Sequence, residues 1–169
     1  AFSRADGRML KEAADFAAGQ AHWLTDYSLF MALKPHFGGG PWMDWPDEGI
    51  RRRNPDTMEK YSKLLSDDIR YHSFVQYLFF KQWRALKAYA NRLGIRVFGD
   101  MPIYVAMDSS DCWANPGVFQ LDRDLKPTAV AGVPPDYFSR DGQLWGNPLY
   151  NWKALKKTGY AWWIKRLRA

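Results

Sequence analysis

Two kinds of side chain in this sequence could carry chemistry: a few carboxylates and an excess of rings. Asp100 follows Gly99 and precedes Met101-Pro102 within "IRVFGDMPIYV". A carboxylate in such an apolar run is costly unless it is paired or opens onto a polar cleft. Asp108 and Asp111 stand three apart in "MDSSDCW". That pair could bind a sugar hydroxyl or a cation, but such clusters more often satisfy turn amides or cap a short helix. Glycoside cleavage needs two carboxyl groups facing each other across a bond, not neighbours in one turn.

The rings are the larger signal. The chain has 9 Trp, 9 Tyr and 10 Phe, an aromatic share of 17%. Trp42, Trp45, Trp113, Tyr137, Phe138, Trp145 and Tyr150 fall in loop-like segments among Asn, Asp and Gln. Any one of them serves most simply to pin its loop to the core. As a set, with polar neighbours, they suit a carbohydrate cleft: a ring takes the C–H face of a pyranose and polar side chains take its hydroxyls.

Other chemistries find little support. His22, His36 and His72 are scattered, without metal-ligand spacing. There is no G-x-S-x-G, and "FGGGPW" lacks the Lys-Ser/Thr of a phosphate loop. Cys112 is the only cysteine, so no disulfide within the chain is possible; it reads as a small packed side chain in a reducing compartment. The formal charge is +6, yet the only tight basic run is Arg51-Arg52-Arg53, read as a solvated segment, and no element interleaves basic and aromatic residues as a nucleic-acid reader would.

The elements that must position these residues are uneven along the chain. Residues 8–18 and 20–36 read as helices, the second with Trp23, Leu24, Tyr27, Phe30, Met31 and Lys34 on one stripe and Gly38-Gly39-Gly40 behind it. Asn54 and Pro55 open a helix over 55–66. Residues 67–93 place Val75, Leu78, Phe79, Gln82, Trp83, Leu86, Tyr89 and Leu93 at the 3.6 period, with Gly94 as the stop. Residues 95–105 read as a buried strand of a parallel sheet. Residues 106–151 are mostly loop, with a hairpin around 120–130. A last helix runs from Trp152 to the end. A connection this long, starting at the carboxyl end of a parallel strand, is where an α/β enzyme keeps its site. At 169 residues and 47% hydrophobic content the chain is about one folded domain. It shows neither the apolar core of a signal peptide nor a membrane-length apolar run, so a soluble cytoplasmic protein is expected. It opens without an initiator Met and is expected to begin inside a longer gene product.

Two long motifs, "GDMPIYVAMDSSDCWANPGVFQLD" (99–122) and "AGVPPDYFSRDGQLWGNPLYNW" (131–152), closely resemble the amylomaltase family, the 4-α-glucanotransferases of the α-amylase clan. "HWLTDYSLFMALKPHFGG" with "PWMDWP", and "FFKQWRALKAYANRLGI", resemble the same family in the same order. The resemblance implies an α/β fold, a partial (β/α)8 TIM barrel here, with residues 1–66 as a helical insertion and 67–169 as part of the barrel. It implies transfer of α-1,4-glucan segments with retention, through a carboxylate nucleophile and an acid/base carboxyl. The implied partners are α-1,4-glucans, maltooligosaccharides and the remainder of the parent enzyme, with no cofactor, metal, nucleic acid or membrane.

By the same resemblance Asp100 lines the donor side of the cleft, Tyr137 and Phe138 form the tip of an overhanging loop, and Trp145 and Asn147 lie in its "WGNP" end. Tyr104 and Asp108 match "PIYVAxDS", and Trp113 joins the set as a loop aromatic. The family's "R-I-D-H-F-R-G" strand, which holds the nucleophile, is absent, so no catalytic carboxylate is expected in this chain. A full barrel needs roughly 250 residues, and an internal fragment, inactive alone, is expected. A non-catalytic carbohydrate-binding or interaction domain is the alternative; it should close its apolar surface, whereas a barrel fragment should leave apolar edges bare.

Overall fold

The computed structural model describes residues 5–168. They form two compact units: residues up to Gly40 with Pro46–Met101, and Pro41–Trp45 with residues from Pro102 on.

The first unit is helical: α1 (Gly7–Gly19), α2 (Ala21–His36), α3 (Glu48–Arg51), α4 (Pro55–Leu64) and α5 (Ser66–Arg92). The starts of α1, α3 and α4 are written in single side chains. Asp6 accepts from the amide of Met9, Asp47 from those of Gly49 and Ile50, and Asn54 from that of Asp56, with Pro55 in the first turn. The ends of α2 and α5 are glycine-marked. After α2, Gly38 donates to Pro35 and Gly39 to Lys34; after α5, Gly94 donates to Asn91 and Ile95 to Ala90. Both are Schellman stops, with Gly38 at φ 76° and Gly94 at φ 74°.

α2 is the core helix. The expected single stripe is too narrow, because Leu24, Ser28, Leu29, Phe30, Ala32 and Leu33 are all buried, which takes in most of its circumference. The polar member is satisfied by a 2.8 Å hydrogen bond between the Ser28 and Ser73 hydroxyls. Around it Phe16, Trp23, Phe74, Tyr77 and Phe80 meet ring to ring.

Two expectations change in this unit. The Arg51–Arg53 run is not simply solvated: Arg52 donates to Glu48 at 2.7 Å and Arg53 to Asp26 at 2.6 Å. Arg53 takes φ 56° at the left-handed stop of α3, where a glycine would be easier, and its ion pair helps hold it there. The buried strand over 95–105 is not formed. Ile95, Val97, Phe98 and Ile103 are exposed, Phe98 fully at 101%. A parallel strand exists only through its neighbours' hydrogen bonds, and among the described residues the two strands pair with each other. The expected stripe of α5 is not its packed face: Phe74 and Tyr77, which lie off it, are the buried residues, while Val75, Phe79, Trp83, Leu86, Tyr89 and Leu93 on it are exposed.

The second unit contains a 3-10 turn (Trp42–Asp44), α6 (Ser110–Ala114), a second 3-10 turn (Pro116–Val118), β1 (Val130–Val133), β2 (Gln143–Pro148), α7 (Trp152–Lys157) and α8 (Ala161–Arg168). The segment 106–151 is therefore less irregular than expected. The 120–130 turn is closed by an isolated bridge between Leu121 and Pro127, and the main hairpin is the next one, β1 against antiparallel β2. The single last helix is in fact two. Gly159 donates to Lys156 and Tyr160 to Leu155, another Schellman stop, with φ 60° and 58° at the two residues.

Candidate functional site

The β1–β2 hairpin is built to hold its tip outward. Asp136 Oδ1 accepts from the amides of Phe138 (2.9 Å) and Ser139 (2.8 Å), and the Ser139 hydroxyl donates to the Gly142 carbonyl at 2.6 Å. This local clamp uses backbone atoms and short side chains only. Tyr137 and Phe138 are left bare, 104% and 95% exposed. Gly142 makes the return possible: it sits at φ 76°, and a Cβ there would lie 2.5 Å from the Val133 carbonyl oxygen.

Below the tip the ladder is irregular. Val130 faces Pro148 and Gly132 faces Leu144, so Trp145, Gly146 and Asn147 are set against Ala131 alone. Such a bulge re-aims side chains; Gly146, at φ 76°, supplies the turn. Asn147 Nδ2 then donates 2.8 Å to the Val105 carbonyl. The Trp145 ring meets Tyr104 edge-on at 6.1 Å, and its indole N–H donates to Gln143 at 3.0 Å. Tyr104 in turn lies parallel to Tyr150 at 6.0 Å. Three of the expected contact residues, Tyr104, Trp145 and Asn147, are thus brought together by the bulge.

Tyr150, one of the loop aromatics of the sequence, is the hub of this region. It is 3% exposed, its hydroxyl donates 2.9 Å to the Ile103 carbonyl, and Gln120 Nε2 donates 3.0 Å to its own carbonyl. Phe119, Trp152, Trp162 and Trp163 surround its ring. Burial pushes the Tyr150 hydroxyl above its ordinary range, so it remains a neutral donor. Beside it lies a cavity of about 270 Å³ lined by Tyr104, Gln120, Tyr150, Trp152 and Trp163.

The carboxylates resolve differently. Asp108 accepts from the backbone amide of Trp42 at 3.1 Å, while the Trp42 indole donates 2.7 Å to the Met107 carbonyl. Asp111 accepts from Arg166 at 3.1 Å. Neither faces the other across a gap, and both do the structural work that their spacing allows. Trp113 corrects an expectation: it is fully buried, edge-on to Trp45 at 6.0 Å, so its ring offers no open face to a ligand and pins the turn instead. Asp100 is exposed and falls in the first unit. Cys112 is buried with its sulfur 3.5 Å from that of Met107; burial, then the charge of Asp111, pushes the thiol up to about 12, which leaves no thiolate for nucleophilic or metal chemistry. Among the described residues no cluster of His, Cys, Asp and Glu could hold a metal, and no helix is long and apolar enough to cross a membrane.

This geometry has known counterparts. The family model described as 4-alpha-glucanotransferase matches residues 1–169. The 4-alpha-glucanotransferase of Thermus thermophilus is 53% identical over 154 residues, covering 91% of this chain and 31% of that protein. That of Synechocystis sp. is 52% identical over 160 residues, covering 94% and 32%. A solved amylomaltase from Streptococcus agalactiae, in complex with acarbose, superposes with a TM-score of 0.91 at 48% identity over 96% of this chain and 33% of that one. The chain therefore spans about a third of the length of the curated relatives it matches. With the family model matched along its whole length and relatives at about half identity, this chain belongs to the 4-alpha-glucanotransferase family.

Proposed function

We propose that the chain is the part of a longer 4-α-glucanotransferase that grips an α-1,4-glucan while catalytic carboxylates elsewhere in that protein cut and rejoin it. Residues 1–66 act as a helical insertion and 67–169 as part of a (β/α)8 barrel. The hairpin observation carries this reading: two rings held fully in solvent by a polar clamp, above a Trp145–Tyr104 corner fixed by a bulge. Bare rings at a rigid tip have no packing reason to be there and suit a ligand with flat C–H faces. Asp100 contributes from the donor side. Trp113 is left out, being buried, and Asp108 serves by holding the turn.

Retention passes through a covalent glycosyl-enzyme that either water or a sugar hydroxyl can resolve. An overhanging aromatic loop favours the sugar by covering the intermediate and seating the acceptor. A self-standing glycan-binding module is the weaker reading, because such a module would cover Phe79, Leu86, Tyr89 and Phe98, which are exposed here. A cytoplasmic setting fits the single buried thiol.

Incubating the purified chain with maltotriose is the direct test. The expected outcome is no glucose and no longer maltooligosaccharides, while the full-length protein containing it produces both. Disproportionation by the chain alone would overturn the reading.

A further inference from the structure

The cavity beside Tyr150 has more polar capacity than the protein uses. Trp163 Nε1 is buried without a hydrogen-bond partner. Gln120 spends its Nε2 on the Tyr150 carbonyl, and no donor among the described residues reaches its Oε1. The Tyr104 hydroxyl likewise has no partner among them. All three residues line the same cavity of about 270 Å³, whose other walls are the rings of Tyr150 and Trp152 with Ile103 and Leu149. An unmatched buried N–H is left with its desolvation uncompensated, so a site that keeps one is incomplete without an acceptor from outside. One donor, one acceptor and one hydroxyl among aromatic walls is the make-up of a small-ligand pocket.

From this we infer that the cavity is an accessory subsite for a single glucosyl unit of an α-1,4-glucan, held by Trp163, Gln120 and Tyr104. The inference rests on the glucan reading proposed above and adds a location to it. The volume fits one sugar ring, since pockets for larger ligands run from roughly 300 to 1,000 Å³. The place is continuous with the hairpin: Tyr104 meets Trp145 on one side and lines the cavity on the other. A glucan leaving the Trp145 corner can put its next ring against Tyr104 and Tyr150, with a hydroxyl oxygen accepting from the Trp163 indole.

The test is a titration of the chain, isotope-labelled at its tryptophan indoles, with maltotriose. The Trp163 resonance is assigned by its loss in Trp163→Phe or, should that variant not fold, by its proximity to the Tyr150 ring. The expected result is a saturable shift of the Trp163 indole, with or without a shift at Trp145. A shift at Trp145 alone overturns the subsite and leaves the glucan reading intact. No shift at any indole removes glucan contact by this chain, and the subsite with it. Trp163→Phe and Gln120→Leu should each weaken maltotriose binding about tenfold, the loss expected for one hydrogen bond; unchanged affinity in both folded variants overturns the inference.

Discussion

At the scale of single residues, exposure separates what folds the chain from what it offers to a ligand. Tyr137 and Phe138 touch solvent almost everywhere, so replacing either by Ala should shift stability by no more than about 0.5 kcal/mol. In the full-length enzyme Tyr137→Ala should raise the ratio of hydrolysis to transfer, because water then reaches the intermediate more easily. Product analysis on maltotriose measures that ratio, and an unchanged value counts against the lid role. Glu12 is a residue of the other kind. It accepts from Lys81, Tyr77 and Arg8, and these hydrogen bonds, led by Lys81, hold its carboxyl at about 2, against 4.5 for the free side chain. Its folded pKa is depressed, so its contribution is complete above about 4.5 and is lost as pH falls through about 2. Acid unfolding of wild type and Glu12→Gln should differ at neutral pH and converge near pH 2. Parallel curves throughout would contradict this.

At the scale of elements, local signals proved legible and pairing did not. The helix starts at Asn54 and Pro55 and the stops at Gly38 and Gly94 are decided within a few residues, and the structure has them where they were expected. The break at Gly159 uses the same device and could have been found by it. The apolar, β-branched run over 95–105 has the composition of a strand, but composition carries no information on whether a neighbour is there to pair with it. Pro134 and Pro135, residues that argue against a strand, directly follow β1 and sit in the hairpin's loop. The two left-handed glycines of that hairpin give a paired prediction. Gly146→Ala meets nothing within 4 Å and bears only its φ of 76°, at a cost of about 1–2 kcal/mol. Gly142→Ala bears the same φ and also drives a Cβ to 2.5 Å from Val133 oxygen, so it should cost about 2–4 kcal/mol. Denaturant midpoints of the two variants test the order, and equal losses would refute it.

At the scale of the whole molecule, the candidate site is suggested by its rings and by resemblance, but its assembly is not legible in the sequence. Tyr104, Trp145 and Asn147 carry a motif. That they converge depends on a bulge, which sequence spacing does not report. Tyr150, Trp163 and Gln120 become a cavity only through burial, a tertiary property. Burial likewise takes Trp113 away. The bare stripe of α5 with Ile95, Val97 and Phe98 has a consequence in solution. Contiguous apolar surface of this kind drives association, so the isolated chain should bind a hydrophobic dye and self-associate as its concentration rises. Sedimentation velocity checks this; a dye-silent monomer at all concentrations would restore the self-standing module.

The clamp of Asp136, Ser139 and Gly142 reaches only backbone atoms of its own loop. Nothing in it depends on which side chains occupy positions 137 and 138. The two rings therefore ride on a frame indifferent to their identity, and exchanging them costs the fold almost nothing. On the lid role proposed for it, such a position is a tuning dial: contact with a glucan can be altered one side chain at a time, while the scaffold beneath stays under no pressure to follow.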